Sequence, residues 1–106
     1  MNLTLHQLKV FTTIVENKSI TKAANILNMT QPAASIQLKN FQDQFDIPLS
    51  EIIGRQFYVT DFGKEIYLIA EEILNKTETI QYKTEAFKGL LSGKLRISVV
   101  STGNYV

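Results

Sequence analysis

Apolar residues in the first part of the chain recur at three- and four-residue intervals, which is the spacing of one face of a helix. A first helix is predicted over about residues 5–17, with Thr4 as its N-cap. Its apolar face comprises Leu5, Leu8, Phe11, Ile14 and Val15. Ser19 restarts the chain, and a second, short helix follows. Its apolar positions are Ile20, Ala23, Ala24 and Leu27.

The third predicted helix follows closely, because only the stretch NMT separates it from the second. A connection of this length is typical of a helix-turn-helix. The helix is predicted over residues 31–45, with Pro32 in its first turn and the hydroxyl of Thr30 accepting from the N–H of Ala33. Its buried positions are Ala34, Leu38, Phe41 and Phe45.

The pattern then changes to two short β-prone runs, LSEII and FYVT, separated by GRQ. These runs predict a small hairpin, or wing, with Arg55 at or near its tip. Thr60 is the predicted N-cap of a last helix, which begins at Asp61 and continues to about Lys88 because no proline interrupts it.

Apolar residues recur at about every seventh position of this long helix, which indicates a face that packs against another helix. We predict that the face is buried against a second copy of the same helix in a homodimer. Its residues are Ile66, Ile69, Ile73, Ile80 and Phe87. For the first two turns, Ile66 to Ile69, packing against the chain's own winged domain is the alternative.

The end of the chain changes character again, because GLLSG breaks the long helix and KLRISVV has the composition of a strand. We expect this strand to begin an α/β domain that the chain does not complete. The predicted fold is therefore mainly α, with a winged helix-turn-helix domain over 1–60 and a linker or dimerisation helix over 61–92. Residues 93–106 are predicted to start the truncated domain.

The first turns of the third helix are small, polar and uncharged, which suits close approach to base edges in the DNA major groove. The predicted base-contacting residues are Gln31, Pro32, Ala33 and Ser35. The predicted phosphate-contacting residues are Ser19, Thr21, Lys22, Thr30, Lys39 and Arg55. The alternative is a small helical bundle in which the hydroxyl residues and Pro32 serve only as caps and surface residues.

Charge and composition narrow the function classes. The net charge of +1 conceals an excess of positive charge in residues 1–40, which contain four lysines and one glutamate.

With no cysteine and one histidine, the chain offers no thiolate or histidine-rich metal site, so we expect no metal and no cofactor. No carboxylate pair, nucleophile with its base or glycine-rich phosphate loop indicates an enzyme. The absence of a signal peptide or membrane-spanning run predicts a cytoplasmic protein.

Residues 5 to about 74 resemble the DNA-binding domain of the LysR-type transcriptional regulators. The resemblance rests on LHQLKVF, on SITKAANILNMTQPAAS, and on VTDFG where the family usually has Leu-Thr-x-Ala-Gly. It implies a bacterial regulator that binds double-stranded DNA at a pseudo-palindromic operator as a homodimer or tetramer. It also implies an effector-binding domain that begins at KLRISVV, in which Ser101 and Thr102 would donate hydrogen bonds to a small-molecule effector. The alternative is that these two residues only begin a turn.

Three residues depart from the family pattern. Ser50 stands where a core phenylalanine is usual, Ile52 where a wing arginine is common, and Asp46 where a glycine usually ends the helix. We expect Asp46 to adopt a left-handed conformation and Arg55 to be the main phosphate contact of the wing.

The runs LSEIIGRQFYVTDFG and LRISVVSTGNYV are similar to the LysR branch that regulates carbon-fixation operons. Because a fold does not fix a function, two alternatives stay open at this point. One is a winged helix used for protein contact, and the other is a fragment of a larger enzyme.

Overall fold

The protein is mainly helical in a computed structural model, which describes residues 1–91. Its elements, in chain order, are α1 (Leu5–Asn17), α2 (Ile20–Ile26), α3 (Gln31–Gln42), β1 (Ser50–Ile53), β2 (Gln56–Val59) and α4 (Asp61–Leu91). This order confirms the predicted winged helix-turn-helix followed by a long helix. One compact unit comprises Met1–Leu74, and the remainder of α4, from Asn75 to Leu91, belongs to a second unit.

Side-chain caps fix where α1 begins. The Thr4 hydroxyl accepts from the N–H of Gln7 at 3.0 Å, and the Gln7 side chain accepts from the N–H of Thr4 at 3.1 Å. This reciprocal capping box pairs N–H groups that a helix start leaves without partners. The C-cap, Lys18, has a φ of 52°, and this left-handed residue turns the chain sharply into α2.

The end of α3 differs from the sequence prediction. The helix ends at Gln42, not at residue 45, and Asp43 is its C-cap. Phe45 nevertheless keeps its predicted inward position, because its ring packs edge-on against Phe41 with a centroid distance of 5.3 Å. The expectation that Asp46 is left-handed is wrong, since it is not among the residues with positive φ. The turn after α3 is held by aromatic packing and needs no glycine-like residue.

The wing is a two-stranded antiparallel hairpin in which Ile53 pairs with Gln56. Only Gly54 and Arg55 connect the strands, and their φ values are 57° and 69°. Positive φ at both central residues is the requirement of the type I′ turn, which matches the twist of a hairpin. The prediction that Arg55 lies at the tip is confirmed.

The junction between the wing and α4 is closely packed. The Thr60 hydroxyl accepts from the N–H of Gly63 at 3.0 Å and donates to the carbonyl of Pro48 at 2.7 Å. Gly63 lies so close to the backbone that a β-carbon there would be 2.0 Å from the carbonyl oxygen of Leu49 and 2.8 Å from a methyl group of Val59. The start of α4 therefore rests directly on the base of the hairpin.

One hydrophobic core holds α1, α2, α3, the hairpin and the start of α4 together. The ring of Phe11 packs against that of Phe41 with centroids 5.1 Å apart, and Phe45 packs against Phe62 at 5.9 Å. Ala23 and Ala24 are buried, as expected for residues that allow helices to approach closely. The buried residues of this core are Leu8, Val10, Phe11, Ile14, Ala23, Leu38, Phe41, Leu49, Phe57 and Ala70.

Among residues 1–91, no helix is both long enough and apolar enough to cross a membrane. The predicted strand KLRISVV and the proposed effector residues Ser101 and Thr102 lie outside the described residues.

A tyrosine links α1 to α4. The Tyr67 hydroxyl donates to a carboxylate oxygen of Glu16 at 2.8 Å. Burial of the ring, followed by this hydrogen bond and the nearby negative charge of Glu16, raises the pKa of Tyr67 to about 12. The fold therefore favours the neutral phenol over the phenolate.

This shift predicts a pH dependence of stability. Since an unfolded tyrosine has a pKa of about 10, the contribution of Tyr67 should be complete below about pH 10 and should be lost as the pH rises towards 12. Between these values, the free energy of unfolding should fall more steeply in the wild type than in Tyr67→Phe, as measured by denaturant titration. Tyr82→Phe, which changes an exposed tyrosine, should keep the wild-type slope. Equal slopes for the wild type and Tyr67→Phe would show that the raised pKa of Tyr67 does not cause this loss of stability.

Candidate nucleic-acid interface

The first turn of α3 is built as the sequence predicts. The Thr30 hydroxyl accepts from the N–H of Ala33 at 3.2 Å, and Pro32 occupies the first turn, where its missing N–H leaves no hydrogen bond unmade. Gln31 and Pro32 are exposed, while Ala34 is fully buried. The first turn therefore exposes the side-chain amide of Gln31 and the ring of Pro32, while Ala34 anchors the helix.

Gln31 and Ser35 are held together on this surface. The side-chain amide nitrogen of Gln31 donates to the Ser35 hydroxyl at 2.9 Å, across one turn of the helix. Because one amide N–H is engaged, the carbonyl oxygen and the second N–H remain to meet a base. Adenine presents a matching donor and acceptor in the major groove. The base-contacting roles of Gln31, Pro32, Ala33 and Ser35 remain predictions that this geometry permits.

Sequence reasoning did not single out Ile36, which lies on the same outward surface. Its side chain is 58% exposed, although isoleucine is among the residues most often buried. A helical wheel drawn from the buried positions Ala34 and Leu38 would have found it, since Ile36 is two residues from each and therefore on the opposite side of α3.

The hydroxyl residues predicted to contact phosphate already serve as caps. The Ser19 hydroxyl accepts from the N–H of Lys22 at 3.1 Å and so begins α2, while Thr30 begins α3. In both cases the hydroxyl accepts its capping bond, so its own hydrogen is still available to a phosphate oxygen. Thr21 and the side chain of Lys22 are exposed on the outer side of α2. Capping and phosphate contact are therefore compatible roles.

The basic side chains differ in their surroundings. The ammonium group of Lys39 lies 2.6 Å from a carboxylate oxygen of Asp43, one turn further along α3, and both side chains are largely exposed. An exposed pair of this kind contributes at most about 1 kcal/mol, so a phosphate can replace Asp43 as the partner. Arg55 is exposed at the tip of the wing, and no ion pair involves it in the described part of the chain.

The wing carries two of the three departures from the family pattern. Ser50, at the position of the usual core phenylalanine, is half-buried and donates from its hydroxyl to the side-chain carbonyl of Gln42. The neighbouring Leu49 is fully buried and supplies the core contact on this side. Ile52 is exposed, so the strand offers an apolar surface where an arginine is common. Arg55 is left as the one cation within the hairpin.

The predicted dimerisation face divides into two parts. Ile66 is half-buried and packs against the chain's own core, which agrees with the alternative suggested for the first turns of α4. Ile69 and Ile73 are exposed within the first unit. In the second unit Ile80 is 66% exposed, and Phe87 is also exposed. Exposed apolar residues that follow one another along one helix face indicate an interaction site.

Among residues 1–91, no group of three or more acidic or histidine side chains is placed to hold a metal ion.

Residues 5–64 match the family model for bacterial regulatory helix-turn-helix proteins of the lysR family. A RuBisCO operon transcriptional regulator of Allochromatium vinosum is 35% identical over 99% of this chain and 35% of that protein. The HTH-type transcriptional activator CmpR of Synechocystis sp. is 38% identical over 98% of this chain and 34% of that protein. The chain thus spans about a third of the length of these curated relatives. The family match confirms the resemblance seen in the sequence, and the name of the Allochromatium vinosum relative supports the branch that regulates carbon-fixation operons.

A solved structure gives the same picture of the fold. The complex of the BenM DNA-binding domain with benA site 1 DNA matches with a TM-score of 0.76 and 30% identity, over 81% of this chain and 97% of that chain. The winged helix-turn-helix and the long helix after it are therefore shared with a domain that was crystallised on DNA.

Proposed function

Since the chain belongs to the LysR family of bacterial regulatory helix-turn-helix proteins, we propose that it is the DNA-binding part of a transcriptional regulator that recognises a specific operator. The regulator acts without catalysis and needs no cofactor to bind DNA. It works in the cytoplasm, where its operator is found. Names among the relatives support an operon for carbon fixation as the regulated target.

The observation that carries the proposal is the outward surface of α3. The start of this helix is capped and seated on the core, yet it presents Gln31, Pro32 and Ser35 without a bulky charged side chain among them. A recognition helix enters the major groove with its N-terminal residues against the base edges, and this surface fits that role. Lys22 of α2, Lys39 further along α3 and Arg55 of the wing supply contacts to the phosphates, together with the hydroxyls of Ser19, Thr21 and Thr30.

The protein binds as a dimer through the exposed apolar residues of α4. Two copies related by a twofold axis present two recognition helices, so the operator is a pseudo-palindrome with half-sites about one helical turn apart, or a multiple of it. Residues 1–60 form the reading domain and residues 61–92 the linker helix. The region from residue 93 begins an effector domain in which Ser101 and Thr102 contact a small molecule, and the full regulator is a dimer or tetramer.

Salt dependence separates this proposal from a winged helix that only contacts protein. A DNA-binding dimer releases counterions, so the logarithm of its affinity for a duplex should fall linearly with the logarithm of the salt concentration. We expect this slope in fluorescence anisotropy with a duplex that the protein selects from a random-sequence library. Failure to select any sequence, together with weak affinity at every salt concentration, would support the protein-contact alternative.

Replacement of Gln31 should affect specificity. We expect Gln31→Ala to weaken binding to the selected duplex by about 1 to 3 kcal/mol and to leave binding to random duplexes almost unchanged, because it removes a base contact. Lys39→Ala is the matched control on the same helix. It should weaken both kinds of binding similarly and reduce the salt slope by about one. Equal losses for Gln31→Ala on both duplexes would exclude a role in base recognition.

A further inference from the structure

An apolar side chain lies at the centre of the proposed reading surface. In α3, which the structure describes in full, Ile36 is the one large apolar residue that is exposed, at 58%. Leu38 and Phe41 of the same helix are buried in the core. Isoleucine is also a weaker helix former than the unbranched residues usual at exposed helix positions. Neither packing nor helix propensity within the described fold explains an isoleucine here.

The position of Ile36 around the helix axis is central. At 3.6 residues per turn, Ile36 is turned by about 160° from both Ala34 and Leu38 and by about 140° from Phe41, the three buried residues of α3. Pro32 lies one turn before it on the outward side, and Lys39 and Asn40 lie about one turn after it, all of them exposed. The side chain thus projects from the middle of the surface, with the base-reading residues on one side and a cation on the other.

We infer that Ile36 reads a thymine in each half-site by packing against its 5-methyl group. The inference rests on the proposed function and extends it by adding a residue that sets sequence preference. A methyl group is the one apolar feature that a base pair presents in the major groove, and thymine alone carries it. Contact with the methyl removes apolar surface of both partners from water, which compensates for an isoleucine exposed in the free protein. The ring of Pro32 extends the same apolar strip.

The test replaces each thymine of the selected duplex in turn by deoxyuridine, which lacks only the 5-methyl group. At the position read by Ile36, we expect the wild-type protein to bind about fourfold more weakly to the deoxyuridine duplex, which corresponds to one methyl group returned to water. Ile36→Ala should bind the thymine duplex about tenfold more weakly than the wild type. It should also bind the thymine and deoxyuridine duplexes equally at that position, because the β-methyl group of alanine is too short to contact the methyl of thymine.

Ile26→Ala is the matched control, since Ile26 is also 58% exposed but belongs to α2. This variant should keep the wild-type difference between thymine and deoxyuridine at the position read by Ile36. If Ile36→Ala keeps the wild-type penalty for deoxyuridine at every position, Ile36 does not read a methyl group and the inference is wrong. Specific binding by the wild type in that experiment would leave the proposed function intact. Lack of any selected duplex for the wild type would instead overturn both.

Discussion

Gly63→Ala is expected to destabilise the protein by about 3 kcal/mol, a large fraction of the stability of a small domain. The added β-carbon would lie 2.0 Å from the carbonyl oxygen of Leu49 and 2.8 Å from Val59. The nearer atom belongs to the backbone of a buried residue, so no side-chain rotation relieves the clash. The base of the wing and the start of α4 must separate. Thermal and denaturant unfolding followed by circular dichroism measure the loss.

Gly54→Ala is the control for this variant. Gly54 is also a glycine, and its φ of 57° disfavours alanine, but no atom lies within 4 Å of an added β-carbon. Backbone strain alone should then lower the free energy of unfolding by about 1 to 2 kcal/mol. If Gly63→Ala is no less stable than Gly54→Ala, the close contact between α4 and Leu49 does not exist in solution.

Ile80→Asp is expected to convert the dimer into a folded monomer. Ile80 is 66% exposed in the single chain, so the fold itself should tolerate the change. In the proposed dimer the carboxylate would be buried against an apolar face without a partner, which is strongly unfavourable. Because two linked half-site contacts would be reduced to one, affinity for the selected duplex should fall by about 100-fold or more. Sedimentation equilibrium and anisotropy measure the two effects.

Gln81→Asp introduces the same charge at the next position of α4, which is turned by about 100° around the helix axis. Gln81 is exposed and lies outside the proposed face, so this variant should remain a dimer with nearly unchanged affinity. A dimer that persists in Ile80→Asp would show that this part of α4 does not form the interface. In that case the partner of the apolar face must be sought elsewhere.

Local signals in the sequence predicted most of the fold correctly. Thr4, Ser19 and Thr30 cap the three helices as expected, because a cap depends on residues only two or three positions away. The hairpin tip was equally predictable, since Gly54 permits positive φ in a two-residue turn. These features follow from near neighbours in the chain and do not require knowledge of the core.

The errors arose where distant residues decide the structure. The sequence has no breaker directly after Gln42, but α3 ends there. Phe45 then packs between Phe41 and Phe62, and residue 62 is distant in the chain. The sequence pattern also gave no signal for Ile36. A pattern analysis searches for the buried stripe, and a lone apolar residue opposite that stripe becomes informative only after its exposure is known.

The left-handed conformation of Arg55 lowers the stability of the wing, whereas its side chain serves the proposed contact with DNA. Substitutions chosen for stability alone would therefore act against this contact. The φ of 69° at Arg55 in a type I′ turn suits asparagine or glycine, and arginine there loses about 1 kcal/mol relative to them. A search for stabilising substitutions would therefore favour replacing Arg55. Each such replacement would remove the one cation of the hairpin and with it the proposed contact with the phosphate backbone. A thermostable variant of this regulator should be chosen for DNA affinity as well as for melting temperature.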